Sequence, residues 1–558
     1  MTIDAEDRGQ VKCDRRAVLA SITGLGIGTA VFHRALAQQV TATLTVTPEM
    51  IQQAEWVAGL ELADVDRDQV ARRVQSALGR VAEMRNVTVG YDVPPALLFN
   101  AAPTMHHAEE LDRSDVHANP GLIDKPDGDE AIAFLSVNEL AGLIRTKQVS
   151  STELTTLYLD RLHRFDKTLK CVVTFTDDLA LSQAKQADDE ISRGHYRGPL
   201  HGIPWGAKDL IAYPGYKTTW GATPFRDQRL DVKATVAERL DQAGAVLAAK
   251  LSLGALAMGD KWFGGMTRNP WNIEEGSSGS SAGSASAVAA GLVGFALGSE
   301  TLGSIVSPCR RCGTSGLRPT FGRVSRYGCM TLAWSMDKIG PICRSLEDCA
   351  IVFGAIHGHD GRDGTAVNRP FIWPLQRELS TLRVGYLSSE GDVIEDREEL
   401  RILKKLGVQL SPIQLPDSLP VWAMTLVLNT EAATVFDELN RNNVTEGLNT
   451  WPNSFRQGAF LSAVDYLRAN RLRTMLMKEM ETLMSGIDCY VGGDDLAITN
   501  LTGHPTVVSP NGFEQGDGVR TPNAITFTGR LFGESSLLAV ADAYQQATGF
   551  HREHPTLG

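Results

Sequence analysis

An α/β fold, with a mixed β-sheet core covered by helices on both faces and an N-terminal helical extension, is the architecture this chain predicts. Short apolar runs at Val172–Thr176, Gly202–Ala207, Ala245–Leu251 and Leu382–Tyr386 have strand length and are separated by helical stretches. At 558 residues, 43% hydrophobic and 22% charged, the chain also has apolar material for a sizeable core.

The elements follow in order. Thr47-Pro48-Glu49 opens a helix with an N-cap, a proline at the first position and an acid in the first turn, and Met50–Leu60 and Arg67–Met84 then form an αα-hairpin. Residues 38–92 are therefore the helical extension, and residues 93–129, rich in Pro, His and acids, a surface connector. The core occupies residues 130–558. It opens on Ser136-Val137-Asn138-Glu139, a capping box. Asn269–Ser278 is polar and loop-like, and the Ala- and Val-rich run Ala285–Leu297 predicts a buried, close-packed helix. Asp396–Leu406 predicts a helix leading to a strand at Val408–Leu415, and Asp465–Met484 a long amphipathic helix.

Residues 1–37 have the form of an export signal. Asp14-Arg15-Arg16-Ala17-Val18-Leu19 precedes a small-residue apolar run, Ala20–Phe32, and then Ala35-Leu36-Ala37, an A-x-A cleavage form. The run falls short of the about 20 residues a membrane span needs. A twin-arginine signal cleaved after Ala37 predicts a periplasmic or secreted protein with no membrane insertion after cleavage.

The chemistry is concentrated in Gly276–Ser286, Gly-Ser-Ser-Gly-Ser-Ser-Ala-Gly-Ser-Ala-Ser, and in Thr301-Leu302-Gly303-Ser304 downstream. Such segments suit backbone that turns sharply and aims N–H groups and hydroxyls at a bound molecule. Upstream, Lys208 ends an apolar run where a solvated charge is out of place. A hydroxyl-rich loop plus one embedded lysine predicts a serine nucleophile deprotonated by an amine. The lysine must be neutral to act, so burial has to depress it by several units from about 10.4.

Together these segments resemble the amidase signature family, whose members hydrolyse amides with a Ser–cis-Ser–Lys triad. The resemblance spans roughly Ala131 to Leu557 and rests on Gly202-Ile203-Pro204 to Lys208-Asp209, Asn269-Pro270-Trp271, Gly279-Ser280-Ser281-Ala282-Gly283-Ser284, Gly303-Ser304-Ile305 and the run from Cys312 to Ser325. It implies Ser304 as nucleophile, Ser280 as the bridging cis-serine and Lys208 as base. The oxyanion hole then falls on backbone N–H groups of Thr301, Leu302, Gly303 and Ser304. The implied function is an exported amidase acting on a carboxamide or aryl amide, with esters and carbamates within reach, through an acyl-enzyme on Ser304.

Two alternatives stand beside this reading. The same core serves as the catalytic subunit of tRNA-dependent glutamyl or aspartyl amidotransferases. Gly279-Ser280-Ser281-Ala282-Gly283 also matches the G-x-S-x-G elbow of α/β-hydrolases, which makes Ser281 the nucleophile of an esterase and His504 its base.

The partner the resemblance implies is a small-molecule amide, and other partner classes lack their signals. A net charge of −12 argues against nucleic acid. No phosphate loop or H-E-x-x-H occurs, and Cys309-Arg310-Arg311-Cys312 lacks a second ligand pair, so no cofactor and no metal are expected. A homo-oligomer is compatible with the sequence. Many family members carry an arginine two residues after the nucleophile, and here Val306 stands there; neutral amides are therefore expected to be preferred, with Trp262, Phe263 and Trp334 at an apolar entrance.

Overall fold

Successive residues of the central strands point into two different apolar layers. Trp205, Ala207, Leu247, Phe295 and Leu297 belong to one core cluster, whereas Val246, Ala248, Ala296 and Ile342 belong to another. A sheet with both faces dry must be covered on both sides, because each strand exposes alternate residues to opposite faces.

The molecule is described by a computed structural model covering residues 45–89, 96–97, 115–117, 123–388, 394–493, 495–516 and 518–557. The expected export signal, residues 1–37, lies outside the described residues, as does most of the connector expected at 93–129. Among the described residues, one sheet of eleven strands forms the core. From edge to edge it runs Gln409–Ile413, Arg383–Leu387, Cys489–Val491, Val519–Gly529, Thr506–Gly516, Ser315–Arg318, Lys338–Cys343, Phe295–Glu300, Pro204–Lys208, Val246–Leu251 and Val172–Phe175. Pro204–Lys208 is parallel to both its neighbours, and Lys338–Cys343 is antiparallel to Phe295–Glu300, so the sheet is mixed as expected.

The expected strands at Val172–Thr176, Gly202–Ala207, Ala245–Leu251 and Leu382–Tyr386 all form, within two residues at each end. Ser136 caps its helix in a full capping box with Glu139. Two segments differ. Ala285–Leu297 is not one helix: the helix covers Ala282–Ala289, the chain turns at Gly291 (φ +63°), and Phe295–Glu300 is a strand. A short apolar run packed on both sides fits either element by periodicity alone. Asn269–Ser278 is not simply loop, since Arg268–Asn269 and Asn272–Gly276 pair as a small antiparallel ribbon.

The N-terminal helices, Pro48–Ala58 and Asp64–Arg85, are docked on the core. Thr47 caps the first and Gly59, at φ +65°, ends it. The second buries Ala77, Val81 and Met84 among Ala423, Met424, Val427 and Leu476. Polar links fix its register: Asp66 pairs with Arg456 (3.1 Å), and Arg85 holds both carboxylate oxygens of Asp465. Gln457 donates to the Arg73 carbonyl at 3.0 Å. Among the described residues, no helix is long and apolar enough to cross a membrane.

Close packing beneath the site gives a test. Gly206 lies in the strand that ends on Lys208, and a Cβ there would come within 2.2 Å of Leu251 Cδ1 on the neighbouring strand. Gly206→Ala is expected to destabilise the fold by about 1–3 kcal/mol through overpacking. Chemical denaturation measures it, and a variant as stable as the parent would contradict this packing.

Candidate active site

Lys208 ends the strand Pro204–Lys208 with its side chain inside the molecule, 0% exposed. Its Nζ lies 2.8 Å from Ser280 Oγ, 3.1 Å from Ser281 Oγ and 2.9 Å from Ser299 Oγ, with the Ser299 carbonyl at 3.2 Å. All these partners are neutral. Burial therefore pushes the amine down to about 7, against the opposing pull of the Asp337 and Glu300 carboxylates. The neighbouring Asp209 is not its counter-ion; that carboxylate is taken by Lys250 (2.7 Å) and by the Thr219 N–H and hydroxyl.

The Gly279–Ser280 peptide is cis, and the chain is tightly enclosed there: a Cβ on Gly279 would stand 2.0 Å from the Gly259 carbonyl oxygen. Ser280, the residue after this bond, is the one whose Oγ meets the lysine. Ser281 is wholly buried; its hydroxyl donates to the Ser299 carbonyl and accepts from the Ser299 N–H, both at 3.1 Å, while its own N–H donates to the Ser304 carbonyl at 3.0 Å. Ser281 thus ties the serine loop to the Ser304 turn. His504, its partner in the hydrolase alternative, is buried elsewhere with its ring on Thr502 (2.7 Å), and burial pushes it down to about 4. Among the described residues, the geometry offers no base to Ser281 other than Lys208.

Ser304 follows a turn of backbone whose shape is dictated from behind. Glu300 accepts from the N–H groups of Ile305 (2.8 Å) and Val306 (3.0 Å), from Arg318 (2.6 Å) and from Asn500 (2.8 Å). Burial would raise this carboxyl, but Arg318 and these donors outweigh it and hold it at about 2. Gly303 has φ +85°, a conformation that a side chain disfavours. Thr301 donates its hydroxyl to Asp337 (2.6 Å). Among the described residues, no acceptor engages the N–H groups of Leu302, Gly303 or Ser304. These are the donors an oxyanion requires. The Ser304 hydroxyl makes no hydrogen bond to a described residue, Ser280 included, so the last link of a proton relay is not closed in this state. Such contacts often tighten only when substrate is bound.

A cavity of about 650 Å³ opens over this turn, with Gly279, Thr301, Leu302 and Ser304 in its floor. Its apolar wall is made by Met258, Leu332, Trp422, Leu428 and Trp451. The expected entrance aromatics are elsewhere: Trp262 packs edge-on against Phe263 at a ribbon, and Trp334 is exposed away from the lining. Val306 is buried and does not face the cavity either. The cations come instead from the N-terminal helix Asp64–Arg85, which contributes Arg73, Ser76, Gly79, Arg80 and Glu83 to the wall. Sequence reasoning left that helix without a role. Ser299, Glu300, Arg318 and Asp337 also escaped it as supports of the site. Cys312, set in the C-x-x-C, is buried with its Sγ toward the Ser277 carbonyl (3.6 Å), a packing role.

Comparison with known proteins agrees with this geometry. The family model described as Amidase matches residues 153–493. The A subunit of the glutamyl-tRNA(Gln) amidotransferase from Moorella thermoacetica is 34% identical over 490 residues, covering 76% of this chain and 99% of that protein. The crystal structure of native peptide amidase from Stenotrophomonas maltophilia is 29% identical, with a TM-score of 0.65 over 75% of this chain and 98% of its own. A bacterial aryl acylamidase shares the fold at 23% identity, with a TM-score of 0.66 over 75% of this chain and 97% of its own. With its mixed sheet and the serine and lysine motifs assembled at one cavity, the chain belongs to the amidase family, the amidase signature enzymes.

Proposed function

We propose that this enzyme hydrolyses a carboxamide or aryl amide through an acyl-enzyme on Ser304, with Lys208 as the base and Ser280 as the relay. The observation that carries the reading is a lysine amine held near neutrality by burial, 2.8 Å from a serine hydroxyl, beside a turn of unengaged N–H groups.

Ser304 Oγ attacks the amide carbon while its proton passes to Ser280, whose own proton passes to the Lys208 amine. The oxyanion is met by the backbone N–H groups of the turn Thr301, Leu302, Gly303 and Ser304. Lys208, now an ammonium, returns the proton through Ser280 to the leaving nitrogen. Water then attacks the acyl group by the same route in reverse. A serine can donate and accept at once, so one hydroxyl serves both directions. Esters and carbamates, with better leaving groups, fall within this chemistry. Export by a twin-arginine signal remains part of the reading and rests on the pattern of residues 1–37 alone.

A second reading is carried by the sequence relatives, which are named as amidotransferase A subunits at 31–34% identity over nearly their full length. It uses the same chemistry at Ser304 but hands the nitrogen to an acceptor with the help of partner subunits. The relatives favour it. The helix Asp64–Arg85, which walls the cavity and precedes the family-matched residues, favours an enzyme acting alone. Assaying the purified single chain against amides decides: turnover without partners supports the amidase, and turnover only with co-purifying subunits and a glutamyl-tRNA acceptor supports the amidotransferase.

Ser304→Ala is expected to abolish turnover and to remove labelling by a serine-directed fluorophosphonate. Peptide mapping checks it, and a label on Ser281 or a largely active variant would move the nucleophile. Lys208→Ala should lower the rate to within about tenfold of the Ser304→Ala level, because groups acting as a unit are not additive. Lys208→Arg should not restore it, since arginine stays charged. A functional arginine variant would remove Lys208 from the mechanism.

A further inference from the structure

We propose that Arg80 and Arg73, on the N-terminal helix Asp64–Arg85, form a carboxylate-binding wall of the substrate cavity, so that the preferred substrates are amides bearing a carboxylate remote from the scissile bond. The proposal rests on the placement of the chemistry at Ser304 given above. It replaces the expectation of a preference for neutral amides, which followed from Val306.

Both arginines line the cavity that holds Ser304, and neither is in ion-pair contact with a described carboxylate; Glu83, one turn on from Arg80, is the carboxylate whose charge acts on it. Arg80 is half-buried, its Nε is enclosed without a hydrogen-bond partner, and among the described residues no carboxylate lies within ion-pair distance of it. Among the described residues, the Arg73 side chain makes one long hydrogen bond, 3.4 Å to Ser454 Oγ. A guanidinium withdrawn from water without an anion is costly, and a planar carboxylate is the group its fork fits. A second depression of about 330 Å³ shares Arg73, Ser76, Arg80 and Gln457 with the cavity and adds Arg72, with no carboxylate in its lining. The approach to the site is therefore cationic although the whole chain carries −12. Glu83 is the one acid of the helix in the main lining, and it leaves Arg73 and Arg80 with one net positive charge, which matches a singly charged carboxylate better than a phosphate.

The helix also leaves room. Gly79 sits in its interior, where glycine costs about 1 kcal/mol relative to alanine. Nothing lies within 4 Å of a Cβ built there, and its φ is not positive. Neither packing nor backbone conformation calls for glycine. Facing the cavity between Arg73 and Arg80, with Ser76 beside it, it leaves space for a ligand.

The test compares kcat/KM for ω-carboxyalkanamides, from succinamate to suberamate, with neutral alkanamides of equal length. The expected result is a preference for the acid at one chain length, which falls by about 10- to 100-fold in Arg73→Gln/Arg80→Gln. Raising salt from about 0.01 to about 1 M, which shortens the screening length from about 30 Å to about 3 Å, should erode the wild-type preference. Gly79→Glu, which the open space admits without removing any side chain, should erode it too by supplying a competing carboxylate. Equal kcat/KM for acid and neutral amides in the wild type, or equal losses for both in the arginine variant, would overturn the proposal. Calorimetry of the same compounds on the Ser304→Ala protein needs no turnover: selective binding of the acids supports the wall even where the chemistry at Ser304 fails, and equal binding overturns it.

Discussion

The site depends on one constraint, a lysine amine enclosed among neutral oxygens. Lys208 reaches its place because the strand that carries it lies between two parallel neighbours with both faces covered, so that its end is as dry as its middle. Holding the amine near 7 rather than 10.5 costs the fold about 4–5 kcal/mol at neutral pH. The sign follows from proton binding: between pH 7 and about 10.5 the unfolded chain holds a proton that the native lysine lacks, so this group's contribution to stability rises with pH across that window. A charged lysine would be cheaper anywhere on the surface. Its position makes sense as chemistry.

The surrounding charges are arranged so that they do not cancel this effect. Asp209, adjacent in sequence, is occupied by Lys250, and Glu300, adjacent to the contacting Ser299, is occupied by Arg318 and two backbone N–H groups. Each carboxylate near Lys208 is spent on architecture. Glu300 shapes the turn that carries Ser304, and Asp337 holds Thr301 at its start and the N–H groups of Leu332 and Ala333 beyond. The enclosure of the base and the shape of the turn thereby meet at the end of the strand Phe295–Glu300, where Ser299 holds the amine and Glu300 the turn.

Much of this was legible in the sequence because it is local. The strand pattern around Lys208, the capping box at Ser136 and the Ser/Gly loop are each written in contiguous residues, and the nearness of Lys208 to Ser280 followed from motif resemblance. What was not legible is what depends on contacts across long chain separations. Arg73 and Arg80 join a cavity whose floor lies about 200 residues or more downstream, and nothing in the helix's own amphipathic pattern distinguishes a solvated arginine from one that walls a pocket. Val306 illustrates the converse: its place after Ser304 gave it weight as a specificity residue, but its side chain turns into the core and its N–H serves Glu300. Trp262 and Trp334 failed as entrance residues for the same reason that Trp422 and Trp451 were missed. Aromatic residues carry no mark of which surface they face.

The state of Lys208 is open to one direct measurement. Inactivation of Ser304 by a fluorophosphonate needs the nucleophile and its base but no protonation of a leaving amine, so its rate against pH reads the base alone. From about pH 5 to pH 9 the rate constant is predicted to rise with a midpoint near 7, falling about tenfold for each unit below it as the lysine takes up its proton. A rate constant that stays flat down to about pH 5 would contradict a base that titrates near 7.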